Sequence, residues 1–417
     1  MDALSGPLDL LTRSRAAQAA WAARPLADRV AVIARLRRSI GRDPELLAAS
    51  VGERPERGPG QTLAMEVLPL ADACRFLERR AQRLLAPRRL GAAGRPAWLF
   101  GTRAEIRREP VGVVLVIAPS NYPLLLAGVQ VVQALVAGNA VLAKPAPGCT
   151  APLRALAGLL EAAGLPPEAF TVLGEDVETA RSLLSSGIDK VVLTGSAETG
   201  RRVLHDLADG LVPAVLELSG NDPVFVLPGA DLAMVARALA WGVQLTGGAV
   251  CIGPRRVFAR PADIAGLEAL LAERLRDTAP VPIPPAVQAQ LDRLLGEARS
   301  AGCRILGPPP AGGRTHALVV AGAGPGLGLL EEDIFAPVIS LVPVGDMDEA
   351  VTAATACSYA LGASIFGPRD EALALAGRIR AGGVTINDLI APTVDPRLPF
   401  GGRGRSGYGT TRGAEGL

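Results

Sequence analysis

The region from residue 111 to 218 alternates short apolar runs with helical segments, and this alternation most constrains the fold. We predict strands at 111–117, 140–143, 170–173, 191–194 and 214–218, with helices at 124–136, 153–163 and 197–207. Strands that alternate with helices form a parallel, doubly wound sheet. Ligands on such sheets bind at the carboxyl ends of the strands, so we expect a site there.

The regions on either side of this alternation complete a two-lobed α/β prediction. In the first hundred residues Val30, Ile33, Leu36 and Ile40 recur at steps of three and four, on a helix that Pro25 opens. A second alternating region runs from about 230 to 387, with a helix at 232–244 and a strand at 340–344. The segment 307–313 is rich in Pro and Gly and predicts a surface loop.

Composition excludes several classes of function. The 417 residues carry 43 basic and 41 acidic side chains, which argues against nucleic acid as a partner. The very apolar stretch 111–143 is interrupted by Pro119, Asn121 and Pro123, so we expect no membrane span. The N-terminus resembles no secretory signal, and the five cysteines show no CxxC spacing. We therefore predict a reduced, cytoplasmic protein without a bound metal.

Three polar side chains carry groups that suit carbonyl chemistry. Cys251 offers a thiol nucleophile, Glu217 a base at the end of an apolar run, and Asn121 an amide that can hold an oxyanion. Each has an ordinary alternative. Free cysteines are mostly small buried apolar residues, a strand-end glutamate commonly faces solvent, and an asparagine beside prolines commonly forms a turn.

The order and spacing of these residues resemble the aldehyde dehydrogenase superfamily, from about residue 16 to the C-terminus. Within that superfamily, local matches look closest to the class-3-like branch, which includes fatty and aromatic aldehyde dehydrogenases. The motifs that carry the resemblance are Pro119-Ser120-Asn121-Tyr122-Pro123, Glu217-Leu218-Ser219-Gly220, Gly247-Gly248-Ala249-Val250-Cys251, Asn387-Asp388 and Pro399-Phe400-Gly401-Gly402 followed by Ser406-Gly407.

The resemblance implies two doubly wound α/β lobes, one for cofactor and one for catalysis, plus a small oligomerisation sheet. It places a dinucleotide-binding domain at 1–96 and 110–218, a catalytic domain at 219–386, and oligomerisation segments at 97–109 and 387–417. A homodimer is expected, with the C-terminal segment joining the strand pair near 98–108 in a sheet between subunits.

The resemblance also implies the reaction. Cys251 attacks an aldehyde, Asn121 and the Cys251 main chain hold the oxyanion, and Glu217 activates the water that releases a carboxylic acid. NAD or NADP is the expected cofactor, and the expected substrate is a hydrophobic aliphatic or aromatic aldehyde. The residues implied to contact the cofactor are Pro119, Lys144, Gly195, Ser196, Leu218, Asp333 and Phe335.

Several positions depart from the family pattern. Ser120 replaces Trp, Ala249 replaces Gln, and Pro147 replaces a Glu that binds the ribose hydroxyls, which opens the way to NADP. A segment at 402–407 fits GxGxxG but lacks a strand–helix context, so we do not expect it to bind a dinucleotide. Two alternatives stay open: a CoA-acylating enzyme, against which the retained Glu217 argues, and a non-catalytic member with a binding or assembly role.

Overall fold

A computed structural model of the chain describes residues 6–417, so the first five residues of the predicted dinucleotide-binding domain lie outside it. The α-helices are α1 Pro7–Ala22, α2 Leu26–Arg42, α3 Pro44–Ser50, α4 Pro59–Thr62, α5 Leu68–Leu85, α6 Leu125–Val136, α7 Thr150–Ala162, α8 Val177–Ser185, α9 Ala197–Leu207, α10 Leu232–Gln244, α11 Pro261–Leu275, α12 Pro285–Ser300, α13 Met347–Ala356 and α14 Arg369–Ala376. A π-helical turn, Leu63–Val67, joins α4 to α5.

The strands form two large sheets and three two-stranded pairs. They are β1 Arg88–Leu90, β2 Ala104–Ile106, β3 Val113–Ile117, β4 Ala140–Lys144, β5 Phe170–Val172, β6 Lys190–Gly195, β7 Ala214–Leu218, β8 Asp222–Val226, β9 Pro254–Ala259, β10 Val281–Pro282, β11 Arg304–Leu306, β12 Arg314–Thr315, β13 Leu318–Ala321, β14 Val338–Pro343, β15 Tyr359–Ala360, β16 Gly362–Phe366, β17 Gly383–Ile386, β18 Arg403–Gly404 and β19 Gly407–Tyr408.

The first large sheet has the order β19-β7-β6-β3-β4-β5, and all of its pairs are parallel except β19 with β7. Alternate residues of β3 enter different cores: Val114 and Val116 pack with α2, α5, α6 and α7, whereas Val113 and Leu115 pack with α1, α8 and α9. Helices therefore cover both faces, as in a doubly wound sheet. The α/β architecture predicted from the alternation is confirmed.

The second large sheet has the order β11-β13-β14-β9-β8-β16-β17, and only β11 pairs antiparallel. Val224 of β8 packs on the side of α10 and α11, and Phe225 packs on the side of α13 and α14. Three residues, 219–221, connect β7 to β8. The carboxyl end of the first sheet therefore adjoins the amino end of the second.

Within one chain, the C-terminal segment contributes strands to two sheets. Its strands β18 and β19 pair with β15 and β7, and β19 completes the first sheet beside Glu217. The hairpin β1–β2 pairs only with itself among residues 6–417. The assignment of 387–417 to oligomerisation stays a prediction, and within one chain residues 407–408 also cover the β7 edge of the first sheet. A sheet that joins two subunits stays a prediction.

The described residues contain no helix that is both long enough and apolar enough to cross a membrane. Within residues 6–417 no group of three or more His, Cys, Asp and Glu side chains is arranged to hold a metal ion. The segment 307–313 connects β11 to β12, as the loop prediction required.

Candidate active site

Asn121 lies just beyond the carboxyl end of β3 and before α6. Its Nδ2 donates to the main-chain oxygen of Ala249 at 3.1 Å, and its Oδ1 accepts from the Tyr122 N–H at 2.9 Å. The amide is therefore fixed by its own neighbour and points at the segment that carries Cys251. This contact joins two of the three predicted catalytic segments.

Cys251 follows a tight turn, Leu245–Gly248, at the amino end of β9. Thr246 has φ 49°, and Gly247 and Gly248 have φ 60° and 80°. A side chain at Gly248 would meet the main chain at Ala336 and Pro337, so glycine is required there. The sequence predicts a ligand site at the carboxyl ends of the strands. The turn instead places Cys251 before the amino end of β9, because the second sheet contributes the amino ends of its strands to the site.

The thiol of Cys251 is held in its neutral form. The residue is partly exposed by surface area, yet protein packed around the thiol raises its pKa to about 12, and Glu217 and Asp222 add to the rise. Arg412 opposes them. A thiol with this pKa needs a base or a change in local charge before it attacks a carbonyl.

Glu217 is buried near the end of β7, as its apolar neighbours predicted. The Thr194 hydroxyl donates to its Oε2 at 3.2 Å, and Oε1 has no hydrogen-bond partner in the protein. Burial raises the pKa of Glu217, against the attraction of Arg412. The Glu217 carboxylate also contributes to the raised pKa of the Cys251 thiol.

Two arginines organise the site, and sequence reasoning missed both. Arg412 donates through Nη1 to the Thr393 oxygen at 2.7 Å and lies 4.7 Å from the Phe400 ring centroid. Arg255 is buried in β9 and donates through Nη1 to the Ala336 oxygen at 2.6 Å and through Nη2 to Gly248. Burial lowers the pKa of Arg255 to about 10. An arginine pair inside an apolar strand, 255–256, was the available signal.

Asp222 is a further buried carboxyl that the sequence did not single out. It begins β8, its Oδ1 has no partner, and burial raises its pKa to about 7. It lines a cavity of about 330 Å³ that Ile252 also borders, one residue after Cys251. The apolar walls are Ile252, Leu361, Val384, Ile386, Ile390, Leu398 and Phe400. None of the described residues that line this cavity is basic.

The predicted cofactor residues of the first sheet lie along one edge. Lys144 ends β4, and Gly195 ends β6 before Ser196, which caps α9 by accepting from the Thr199 N–H at 3.1 Å. A Cβ at Gly200 would lie 2.8 Å from Leu218 Cδ1, so glycine lets the first turn of α9 approach β7. Such a helix N-terminus suits a phosphate.

The surroundings of Lys144 are acidic. Burial lowers the pKa of Lys144, and the nearby Asp176 and Glu175 oppose that shift. Glu175 accepts from the Gly148 N–H at 2.8 Å and the Thr150 hydroxyl at 2.6 Å. These carboxylates come from the loop after β5, which the sequence prediction did not consider.

The remaining predicted cofactor residues lie in two other loops. Pro119 follows β3, where the Ala118 N–H donates to the Lys144 oxygen at 3.0 Å. Asp333 accepts from the Tyr359 hydroxyl at 2.7 Å, and Phe335 follows in the same loop, half-buried. Asn221, where the family has Lys, donates to the Glu332 oxygen at 2.7 Å and thereby anchors this loop.

Cys149 is the other cysteine close to these segments. It lies before α7, and its Sγ is 3.5 Å from Arg54 Nη2 and 4.0 Å from the Ser120 oxygen. It is buried. A thiol, an amide donor and a buried carboxylate are groups that can attack, polarise and hydrolyse a carbonyl group.

The profile of the Aldehyde dehydrogenase family matches residues 9–417. The chain belongs to the aldehyde dehydrogenase family. It is 30% identical to 4,4'-diapolycopene aldehyde oxidase of a Methylomonas species, over 98% of this chain and 78% of the relative. It is also 30% identical to a putative NADP(+) succinate-semialdehyde dehydrogenase of Mycolicibacterium smegmatis, over 97% of this chain and 81% of the relative.

Solved aldehyde dehydrogenase structures share the fold. Aldehyde dehydrogenase C of Pseudomonas syringae, a cysteine-to-alanine mutant crystallised with NAD+ and octanal, superposes with a TM-score of 0.88. Its sequence is 27% identical, and the match covers 98% of this chain and 86% of the other. The aldehyde dehydrogenase resemblance of the sequence is thereby confirmed, while the class-3-like branch stays a prediction.

Proposed function

We propose that this chain is a non-acylating, NAD(P)-dependent aldehyde dehydrogenase that uses Cys251, Asn121 and Glu217. The observation that carries the proposal is the hydrogen bond from the Asn121 amide to Ala249, two residues before Cys251. It sets a side-chain donor against the segment that carries Cys251, and the buried carboxylate of Glu217 raises the pKa of that thiol. Asn121 and Cys251 belong to different lobes, so the contact does not arise from residues that are neighbours in the chain.

The first half of the reaction uses the thiol and the amide. Cys251 gives its proton to solvent water, and its sulfur bonds to the aldehyde carbon while the carbonyl oxygen becomes an alkoxide. The Asn121 N–H and the Cys251 main-chain N–H would donate to that oxygen, which stabilises the charge as it develops. Loss of hydride from the same carbon leaves a thioester on Cys251.

The second half uses Glu217. Its raised pKa suits a group that takes a proton from water near neutrality. Hydroxide from that water would attack the thioester, the sulfur would leave, and a carboxylic acid would form. A buried carboxylate coupled to the thiol favours hydrolysis over transfer to CoA, because CoA-acylating members commonly lack this base.

The residues at the sheet edge fit a dinucleotide. Lys144 offers an N–H donor for a ribose, the N-terminus of α9 suits the pyrophosphate, and Asp333 and Phe335 lie in the loop that Asn221 anchors. NAD or NADP bound there would supply the hydride acceptor. The Pseudomonas syringae relative was crystallised with NAD+, and the mycobacterial relative is named for NADP(+).

The cavity beside Ile252 supports a neutral, apolar aldehyde. Its walls are mainly apolar, and its charged lining side chains are Asp222 and Asp388. An aldehyde that carries a carboxylate would find no basic partner among the described lining residues and would meet two acids. Octanal in the Pseudomonas syringae relative is an aldehyde of the favoured kind.

A cytoplasmic homodimer completes the proposal. The loop of the β1–β2 hairpin exposes Trp98 and Phe100, at 81% and 89% of their full surface. Large exposed aromatic side chains commonly mark an interface. Light scattering after size-exclusion chromatography would give twice the chain mass, whereas a clean monomer would contradict the dimer.

The activity is tested by following NADH and NADPH formation with octanal, benzaldehyde and succinic semialdehyde, with and without CoA. We expect turnover without CoA, with octanal or benzaldehyde preferred to the semialdehyde. Turnover that requires CoA would favour the acylating alternative. A folded protein that binds cofactor but oxidises none of the aldehydes would favour a non-catalytic role.

A further inference from the structure

Glu66 is a fully buried carboxylate that is not one of the proposed catalytic residues. It lies in the π-helical turn before α5. Its Oε2 accepts from the N–H groups of Leu124 and Leu125, at 2.8 and 3.1 Å. These are among the first N–H groups of α6, which no residue of the helix itself can satisfy. Glu66 therefore fixes where α6 begins, four residues after Asn121.

Arg57 holds Glu66 in place. Its Nη2 pairs with Glu66 Oε1, and both side chains are completely buried. Its guanidinium carbon lies 5.4 Å from the centroid of the Tyr122 ring, while Nε and Nη1 have no partner. A buried pair of this kind contributes little net stability over an apolar pair of similar size, so the geometry that it imposes explains it better than stability does.

Two contacts connect Tyr122 and Asn121 to the segment that precedes Cys251. The Tyr122 hydroxyl lies 2.8 Å from Thr246 Oγ1, and the Asn121 amide donates to Ala249. Thr246 occupies the strained turn before Cys251. The pair, the tyrosine and the turn form a continuous set of contacts from the π-helical turn before α5 to the residues that follow Asn121.

We infer that the Arg57–Glu66 pair is a positioning device that sets the Asn121 amide against the Cys251 segment. Neither residue is expected to touch substrate. The inference rests on the proposed oxyanion role of Asn121. Its ground is that Glu66 clamps the chain just after Asn121 and Arg57 packs on the residue that follows it.

The test compares kcat, KM and folding for Glu66→Gln, Glu66→Ala and Arg57→Met, and repeats Glu66→Gln in an Asn121→Ala background. We expect Glu66→Ala to lower kcat by roughly 10- to 100-fold, part of the loss expected on removing an oxyanion donor, with KM changed less than about threefold. Glu66→Gln keeps an acceptor for the α6 N–H groups and should recover part of kcat. In the Asn121→Ala background, Glu66→Gln should cost little more.

Two controls separate positioning from general stability. Leu77→Ala removes a buried side chain of α5, and Glu78→Ala breaks the partly exposed pair with Arg37. Neither should change kcat more than about twofold at a temperature where the protein is folded. Equal loss of kcat in Leu77→Ala, or the full effect of Glu66→Gln persisting without the Asn121 amide, would overturn the inference.

The outcome for Asn121 is read separately. If Asn121→Ala alone keeps full kcat, the proposed oxyanion role fails whatever Glu66 does. If Asn121→Ala loses activity but Glu66→Gln and Arg57→Met do not, the positioning inference alone fails. Where Glu66→Ala does not fold, Glu66→Gln and Arg57→Met decide the matter.

Discussion

The amide of Asn121 donates to the main-chain oxygen of Ala249 across the junction of the two lobes. The contact joins the carboxyl edge of the first sheet to the turn that presents Cys251. Glu217 lies near the carboxyl end of β7 in the same sheet, and we propose that the three groups converge although they lie far apart in the chain. Predictions about each of them follow from this convergence.

Replacing Glu217 should have two effects, one on turnover and one on the reactivity of Cys251. Turnover should fall by about 100-fold in Glu217→Gln, because the water that releases the acid loses its base. Charge at Glu217 raises the pKa of Cys251, so its removal should lower that pKa and increase the thiolate fraction at neutral pH. We expect faster alkylation of Cys251 by iodoacetamide, measured by peptide mass spectrometry. Slower alkylation would mean that Glu217 instead takes the thiol proton.

The pH dependence of wild-type turnover should reflect the same base. Burial raises the pKa of Glu217 above its ordinary value. The fraction of Glu217 in the ionised, active form therefore grows as the pH rises through that raised pKa. The rate of acid release should therefore increase with pH on the acid side, and Glu217→Gln should lose this limb. Single-turnover and steady-state rates between pH 5 and 8 test the point, and an unchanged acid limb in the variant would contradict it.

Cofactor choice should depend on Glu175. Its carboxylate is near Lys144 and would repel the 2′-phosphate of NADP. Glu175→Ala should raise the ratio of NADP to NAD efficiency by roughly two- to fivefold, as for other exposed charge interactions. Glu161→Ala, an exposed acid late in α7, serves as the control. A ratio that does not change, or changes equally in both variants, would remove Glu175 from cofactor selection.

Asp222 should make stability depend on pH. Its pKa is raised from 3.8 to about 7 in the folded protein, so the native state binds more protons between these values. The cost of burying the carboxylate therefore grows as pH rises from about 4 to 7. Asp222→Asn removes that cost. The increase in the free energy of unfolding that this substitution causes should be about 2 to 3 kcal/mol larger at pH 8 than at pH 5. Urea unfolding at both pH values measures it, and equal effects would refute the burial argument.

The turn before Cys251 should not tolerate a side chain at Gly248. Its φ of 80° and the main chain at Ala336 and Pro337 leave no room for a Cβ. Gly248→Ala should cost about 2 to 4 kcal/mol of stability and reduce turnover. Gly296→Ala, in α12 with no neighbour within 4 Å, should instead be neutral or stabilising. Thermal unfolding of both variants makes the comparison.

Much of the first lobe was predictable from local pattern. The helix over 197–207 and the strand over 214–218 match α9 and β7, because apolar periodicity and burial agree there. The position of Cys251 at the amino end of β9 was not predictable from that pattern, since it depends on how two sheets meet. Arg255 and Arg412 were missed for the same reason: their partners are distant main-chain oxygens and a distant carboxylate.

The C-terminal strand illustrates a further limit. Gly407 and Tyr408 pair with Leu216 and Glu217, which are distant in sequence, and two residues carry too little periodicity to show a partner. The Arg57–Glu66 pair likewise looks like two ordinary surface charges in the sequence. Only the packing of the π-helical turn against the start of α6 shows that both are buried.

The central claim is that Cys251, and no other cysteine, is the nucleophile. The most direct measurement is aldehyde-dependent NAD(P)H formation by Cys251→Ala and Cys149→Ala, both checked for folding and cofactor binding. The account predicts that Cys251→Ala loses roughly 10³-fold or more in kcat, while Cys149→Ala keeps turnover within a few-fold of wild type. Retained turnover in Cys251→Ala, or loss confined to Cys149→Ala, would contradict it.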